Sequence, residues 1–213
     1  MELVRINTYD DPRFSPAVLR QHGCFLADGE PYELEIVSAS EAVVRGTARP
    51  DLSPLLEEFR FYAPHITRFY DAQGNLLQAF APVELLRIPL EQIQPSQFYV
   101  DEDKLAAVRT FITCPDDIIV QVLPWEGRFV SLDGHTRLFL ATMSGWKAVR
   151  ATVVETGDEI LDFVREAQRR KIRCPGDMTL LNHQDYQKLW DGYCDVSAQQ
   201  PPVYSQNPVG LAN

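Results

Sequence analysis

One stretch constrains the chain more than any other, the run Phe129-Val-Ser-Leu-Asp-Gly-His-Thr-Arg-Leu-Phe-Leu-Ala-Thr-Met-Ser-Gly145. Phe129, Val130 and Leu132 supply a buried strand, and Asp133-Gly134 a tight turn. From His135 to Ser144, Leu138, Ala141 and Thr142 recur at helical spacing with Phe139 and Met143 beside them, which predicts a helix buried over a wide face. Gly145 suits the position just past its end. A carboxylate, a glycine, an imidazole, a hydroxyl and a guanidinium are thus gathered where strand meets helix. Helix N-termini present free N–H groups and a partial positive charge, so they favour anions. Arg137 adds a guanidinium able to hold a phosphate with two parallel bonds. Taken alone, Asp133-Gly134 is equally a plain turn; with His135, Thr136 and Arg137 behind it, the stretch reads as a phosphate-binding turn.

The remainder of the sequence divides around it. Residues 1–80 read as a small α/β unit. Its strands are Leu3–Ile6, Tyr32–Val37 (apolar Tyr32, Leu34 and Ile36 against Glu33 and Glu35) and Ala42–Val44, with a hairpin about Asp71–Asn75. Its helices are a short one from Ser15 to Gln21 with Pro16 in the first position, and one from Asp51 or Ser53 that Pro64 stops. Glu57, Glu58 and Arg60 read as helix surface, and His65 as a capping or packing residue; no chemical motif stands out here. Residues 81–157 form a second unit: a proline-bounded segment Ile88–Pro95, a loop from Ser96 to Val100, a helix capped by Asp101 or Asp103 and running through Thr113, and a strand Asp116–Leu123. The turn Pro124–Arg128 then leads into the central stretch, and a strand Ala148–Glu155 follows it. Residues 158–198 read as helices capped by Asp158 and Asn182, and residues 199–213 as an extended or disordered tail. The sum is an α+β protein.

Charge and composition narrow the partners. With 213 residues the chain is long enough for a sizeable core. Its net charge of −10 disfavours a duplex-DNA binder, which needs a basic patch or stripe. The one basic cluster, Arg165 to Arg173, reads as a solvated helix end. No apolar run reaches transmembrane length, and the first residues lack a signal peptide's basic and apolar regions, so the expected location is cytoplasmic. Cys24, Cys114, Cys174 and Cys194 are scattered, and His22, His65, His135 and His183 lie far apart, which predicts free thiols and no zinc site.

Residues 88–155 resemble the ParB/sulfiredoxin superfamily. The likeness is carried by Ile88-Pro-Leu-Glu-Gln-Ile-Gln-Pro, Asp101-Glu-Asp-Lys-Leu-Ala-Ala-Val, Ile118-Ile-Val-Gln-Val-Leu, Leu132-Asp-Gly-His-Thr-Arg-Leu-Phe-Leu-Ala, Gly145-Trp and Val149-Arg-Ala-Thr-Val-Val. The Asp-Gly-His-Thr-Arg element is most similar to ParB-like proteins that include free serine kinases. The resemblance implies a ParB/sulfiredoxin-like nucleotide-binding domain, with a small N-terminal α/β unit and a helical C-terminal appendage around it. It implies that Gly134, His135, Thr136 and Arg137 contact phosphate oxygens, that Lys104 contacts the nucleotide, and that Asp133 is the base or magnesium ligand. ATP or ADP, with Mg²⁺, would be the cofactor, and a small hydroxyl compound such as free serine the acceptor. The cysteine used by sulfiredoxins falls on His135, which argues against sulfinic-acid repair. The ParB Gly-Glu-Arg-Arg box and a helix-turn-helix are absent, which argues against a DNA-binding regulator. The kinases' first glutamate falls on Gln97, leaving Glu91, Glu102 or Asp103 as substitutes. Without one of them the chain would be a non-catalytic nucleotide-sensing or interaction module.

Overall fold

The structure, a computed structural model, describes residues 1–155, 157 and 159–199. The N-terminal elements are β1 (Leu3–Arg5), α1 (Pro16–Arg20), β2 (Cys24–Ala27), β3 (Glu30–Ile36), β4 (Glu41–Gly46), α2 (Ser53–Tyr62), β5 (Arg68–Asp71) and β6 (Leu76–Ala79). The strands lie in sequence order, with every neighbouring pair antiparallel except β4 and β5. Parallel strands need a crossover, and α2 supplies it. The alternation in β3 works as its sequence demands: Tyr32 and Leu34 are buried under α2, which contributes Leu55, Leu56 and Phe59. Phe59 meets Phe25 and Phe69 edge-on, with ring centroids 6.3 and 6.0 Å apart. Full burial of such a side chain contributes about 1.5–3 kcal/mol. On β2 the faces divide, Phe25 and Ala27 joining the α2 core and Cys24 the α1 core with Val18 and Leu19. A strand covered on both sides shows no apolar–polar alternation, and β2 is the strand of this sheet that the sequence pattern did not reveal.

The second group comprises β7 (Leu86–Pro89), β8 (Ile93–Pro95), β9 (Tyr99–Asp101), α3 (Glu102–Val108), β10 (Ile119–Trp125), β11 (Arg128–Ser131), α4 (His135–Met143), β12 (Ala148–Val153), α5 (Ile160–Arg169), β13 (Thr179–Leu181), α6 (His183–Tyr186) and α7 (Gly192–Gln199). Five strands form a mixed sheet in the order β7-β12-β10-β11-β8, and β9 pairs with β13 in a separate parallel ribbon. The β10–β11 hairpin turns on Glu126 and Gly127, both with positive φ (47° and 75°), the mirror-image turn that matches strand twist. Leu138 and Ala141 of α4 are fully buried against this sheet, as the helical spacing predicts.

Several boundaries differ from expectation. Ser96–Val100 is not only a loop, because Tyr99 and Val100 enter β9 and pair with Thr179 and Leu180. That pairing joins positions far apart in sequence, which local pattern does not report. Helix α3 ends at Val108 rather than Thr113. Its cap is Asp101, which accepts the Asp103 N–H at 2.9 Å. Asn182 caps α6 by accepting from Asp185 N at 2.9 Å, but the helix does not stop at Trp190. It passes through a π-helical turn (Gln187–Asp191) into α7. The C-terminal segment is also more than a helical appendage, since it contributes a strand, and Ala167, Ile172 and Met178 belong to the same core as Ile88 and Leu138. The Asp158 cap and the tail beyond Gln199 lie outside the described residues.

One local device occurs twice. Ile112-Thr-Cys-Pro-Asp-Asp117 links α3 to β10, and Ile172-Arg-Cys-Pro-Gly-Asp177 links α5 to β13. In each, the aspartate accepts two main-chain N–H groups before it, Thr113 and Cys114 at 2.7 and 2.9 Å, and Arg173 and Cys174 at 2.9 and 3.0 Å. Cys114 and Cys174 are thus hinge residues of helix-to-strand turns, and both thiols are free.

Candidate functional site

A cavity of about 830 Å³ lies between the two sheets. Side-chain bonds cross the join beside it: Gln121 Nε2 on β10 donates to the Phe61 and Tyr62 carbonyls at the end of α2, at 3.1 and 3.0 Å. Gly134, His135, Thr136 and Arg137 all line this cavity, as do Asp133 and Lys104. The structure therefore brings every residue of the sequence-derived site to one space.

The turn is built on Gly134, whose φ of 79° and ψ of 20° are left-handed. A Cβ there would meet Val120 Cγ1 at 2.6 Å, so only glycine lets the turn close onto β10. No side chain caps α4, and its first turn holds no acidic residue. Asp133 stands just before it, with Oδ2 accepting from Arg137 Nη2 at 2.7 Å, while Arg137 Nη1 donates to the Ile119 carbonyl at 2.6 Å. Burial raises the carboxyl's pKa, but Arg137, the Gly134 N–H, His135 and Arg5 outweigh it, and the group lies below the ordinary carboxylate value. Its side chain remains 54% open, facing cavity space rather than packed protein. Such a carboxylate stays ionised. It is a weak proton acceptor but a suitable oxygen ligand for a hard cation shared with phosphate.

His135 departs from the role expected of it. Its ring is buried, and Nε2 accepts the Ser96 N–H at 3.3 Å while lying 3.2 and 3.1 Å from the Ser96 and Ser131 hydroxyls. An Nε2 that accepts leaves the proton on Nδ1. Burial, with Arg137 adding to it and Asp133 opposing, lowers the pKa to about 4. At neutral pH the ring is an uncharged strut between β8 and β11. The turn's contribution at this position is main chain. Lys104, on α3, places Nζ 3.3 Å from the Tyr186 hydroxyl and 4.5 Å from the centre of that ring.

Gln97 also lines the cavity, with Nε2 bonded to the Tyr99 carbonyl and, at 3.2 Å, to the Tyr186 hydroxyl. None of the substitutes named for it, Glu91, Glu102 or Asp103, is in the lining; the carboxylates there are Asp117, Asp133 and Asp191. Asp117 is held by the N–H groups of its own turn. His183 lines the cavity too, and Asp101, Asp103 and His183 bring one ligand atom each within 4.8 Å of one another. Asp101 is already committed there, capping α3 with one oxygen and accepting from His183 Nδ1 with the other at 2.8 Å.

The opposite contribution comes from the N-terminal unit, where sequence reasoning identified no site. Arg5, Tyr9, His22, Tyr62 and His65 line the cavity from β1, the loop after it, the α1 C-terminus and the α2 end. His65, read from sequence as a packing residue, is indeed buried, and burial together with Arg137 and Arg150 lowers its pKa to about 3. These residues share no spacing rule, so only the folded chain assembles them.

Comparison with known proteins gives partial likenesses. No protein-family model matches the chain, and no curated protein does. Among solved structures, the chain is similar to an Agrobacterium tumefaciens protein at 19% identity and a TM-score of 0.30, over 44% of this chain and 51% of that one. It therefore spans about half the length of that relative. It is also similar to sulfiredoxin from Arabidopsis thaliana at 16% identity and a TM-score of 0.28, over 38% of this chain and 97% of that one. Among the described residues, no helix is long and apolar enough to cross a membrane.

Proposed function

We propose that the cavity binds a nucleotide, ATP or ADP, by its phosphates at the start of α4, and that the protein transfers phosphate to a small hydroxyl compound such as free serine. The observation that carries this reading is the uncapped start of α4, held open into the cavity by left-handed Gly134 and flanked by Arg137. Main-chain N–H groups of Gly134 to Arg137, the Arg137 guanidinium and Lys104 would hold phosphate oxygens. Asp133 fits a magnesium ion, which would neutralise phosphate charge. In transfer, the acceptor oxygen forms a bond to phosphorus as the bond to the leaving nucleotide breaks, and the hydroxyl proton passes to Asp133 or to water. Because Asp133 is a weak base, positioning and charge supply most of the rate, as loose phosphoryl transfer allows.

A second reading is favoured by Gln97 and by the Asp133–Arg137 pair: a nucleotide-sensing module without turnover. One experiment separates them. Labelled ATP and ADP are incubated with the protein, Mg²⁺ and a panel of hydroxyl compounds, beside a calorimetric titration of each nucleotide. Binding with transfer, lost in Asp133→Asn, supports the kinase. Binding without any product supports the sensor, and no binding at millimolar nucleotide removes both.

A further inference from the structure

Arg5 enters the cavity from β1 and is held rigidly. Its Nε donates to the His22 carbonyl at 3.2 Å, and its guanidinium carbon lies 3.7 Å from the centre of the Tyr62 ring. Yet among the described residues no carboxylate comes within ion-pair distance of it. Burial lowers its pKa, while Tyr62 and Asp133 act in the other direction. A guanidinium does not shed its proton in a protein, so the charge persists in a site where an unpaired ion is costly. Lys104 and Arg150 share the condition: of the four lysines and arginines in the lining, only Arg137 has a carboxylate partner among the described residues. In a chain of net charge −10, this cavity collects cations that lack counter-ions.

The setting of Arg5 is specifically built. Helix α1 ends in a Schellman arrangement, with His22 N–H on the Leu19 carbonyl at 3.0 Å and Gly23 N–H on the Val18 carbonyl at 3.1 Å. The left-handed residue of that motif is usually glycine, but here it is His22, at φ 56°. From this strained position its carbonyl fixes Arg5, and its Nε2 meets the Tyr9 hydroxyl at 2.9 Å. Its Nδ1 is buried with no hydrogen-bond partner. With one ring nitrogen unsatisfied, His22 stands where glycine is easier and forms a bracket joining Arg5 to Tyr9.

We infer that the N-terminal unit forms a second subsite, in which Arg5, positioned by His22, binds the acid group of a small carboxylate-bearing compound beside the nucleotide. A planar guanidinium pairs with a carboxylate through two parallel bonds. The cavity, about 830 Å³, falls in the upper part of the range for small-molecule sites and has room for a compact acid alongside phosphates. The assignment rests on the nucleotide reading only for its neighbour; the Arg5 anchor stands without it.

The test uses the full chain, with binding followed by calorimetry and thermal shift. The probes are L-serine, D-glycerate and L-lactate, against glycerol and serinol, which lack the carboxylate, each with and without ATP. At least one acid should bind and its uncharged counterpart should not. Arg5→Gln should weaken the acid about tenfold or more, the usual effect of losing a charged hydrogen bond, while changing ATP affinity less than about twofold. Arg5→Lys should keep part of the acid affinity. His22→Gly, which relieves the backbone but removes the ring that ties this turn to Tyr9 and so frees the carbonyl holding Arg5 to shift, should fold and weaken the acid several-fold. Should Arg5→Gln not fold, these two variants decide. Three results overturn the proposal: no acid binds the wild-type protein in either nucleotide state; acids and uncharged counterparts bind alike; or the Arg5 variants lose ATP rather than the acid, which would put Arg5 on the nucleotide. Acid binding that depends on Arg5 in a protein that ignores ATP would keep the subsite and remove the nucleotide reading at α4.

Discussion

The two walls of the cavity use the same kinds of group and differ in how the chain delivers them. The centre of the wall from the second group of elements is one contiguous turn, in which Asp133, Gly134 and Arg137 are set by a strand ending where a helix begins, with Lys104 and Gln97 beside it. The wall from the N-terminal sheet is assembled from residues 5, 9, 22, 62 and 65, carried by a strand, a loop and two helix ends. The first pattern is local and tolerates little change, because its geometry depends on one glycine. The second is distributed, each residue being held by a different element. A pocket can therefore have one wall that reads as a motif and another that reads as nothing.

The largest expected effect follows from the glycine. Gly134→Ala forces a side chain into a left-handed backbone and drives its Cβ towards Val120. Strain of this kind costs about 1–3 kcal/mol, and overpacking costs a similar amount. We expect a loss of about 2–4 kcal/mol in urea denaturation together with the loss of nucleotide binding. No single substitution on the N-terminal wall away from its core should match this. A variant that keeps full stability and binding would mean that the turn is not the pivot of its wall.

Acid should strain both walls together. His135 on one side, and His65 and His22 on the other, have pKa values lowered to about 4, 3 and 4 by burial. The unfolded chain takes up protons at these positions near pH 6.5 while the folded chain does not. Stability should thus be greatest above that pH and fall as pH drops from about 6.5 towards 4, by up to about 1.4 kcal/mol per pH unit for each fully buried ring. Part of this should be missing for His22, which is only partly buried. His65→Leu should flatten the slope by close to one proton. An unchanged slope would show that the ring is not held neutral in the folded state.

Legibility followed the same division. The turn, its helix and the β10–β11 hairpin were readable because period and turn chemistry act over a few residues, as Asp133-Gly134 and Glu126-Gly127 show. Strand β2 was not, because Cys24 and Phe25 are buried on opposite faces and leave no alternation. Pairing of β9 with β13 was hidden by sequence distance. His135 was recognised as part of the site, but its orientation was not, since a ring turned towards Ser96 and Ser131 depends on where β8 lies. Among the N-terminal residues, His22 carries one faint signal that sequence reasoning missed, its place directly before Gly23 at the end of a short helical run, where left-handed residues end helices.

The join between the walls should respond more mildly. Gln121→Ala removes the two bonds to the α2 carbonyls and should cost about 1 kcal/mol. The three tryptophans, Trp125, Trp146 and Trp190, all lie in the second group of elements, so fluorescence reports that part alone, whereas far-ultraviolet circular dichroism reports both. The two signals should coincide in the wild-type protein and begin to separate in the variant. Coincidence retained in Gln121→Ala would show that other contacts dominate the join.

The smallest effect is the most informative about the distributed wall. His22→Gly replaces a left-handed histidine by the residue that this conformation favours, a gain of about 1 kcal/mol or less. It also removes a buried ring nitrogen that has no partner, whose burial carries a cost of about 1–3 kcal/mol. Against this stand the bond to Tyr9 and the packing of the ring. The terms nearly cancel, so stability should stay within about 1 kcal/mol of wild type, on the stable side. A clearly stabilised glycine variant would mean that the histidine is kept for what it positions in the cavity, at the expense of the fold. A loss well beyond that margin would make His22 a structural residue, and the N-terminal wall would then be organised by packing rather than around Arg5.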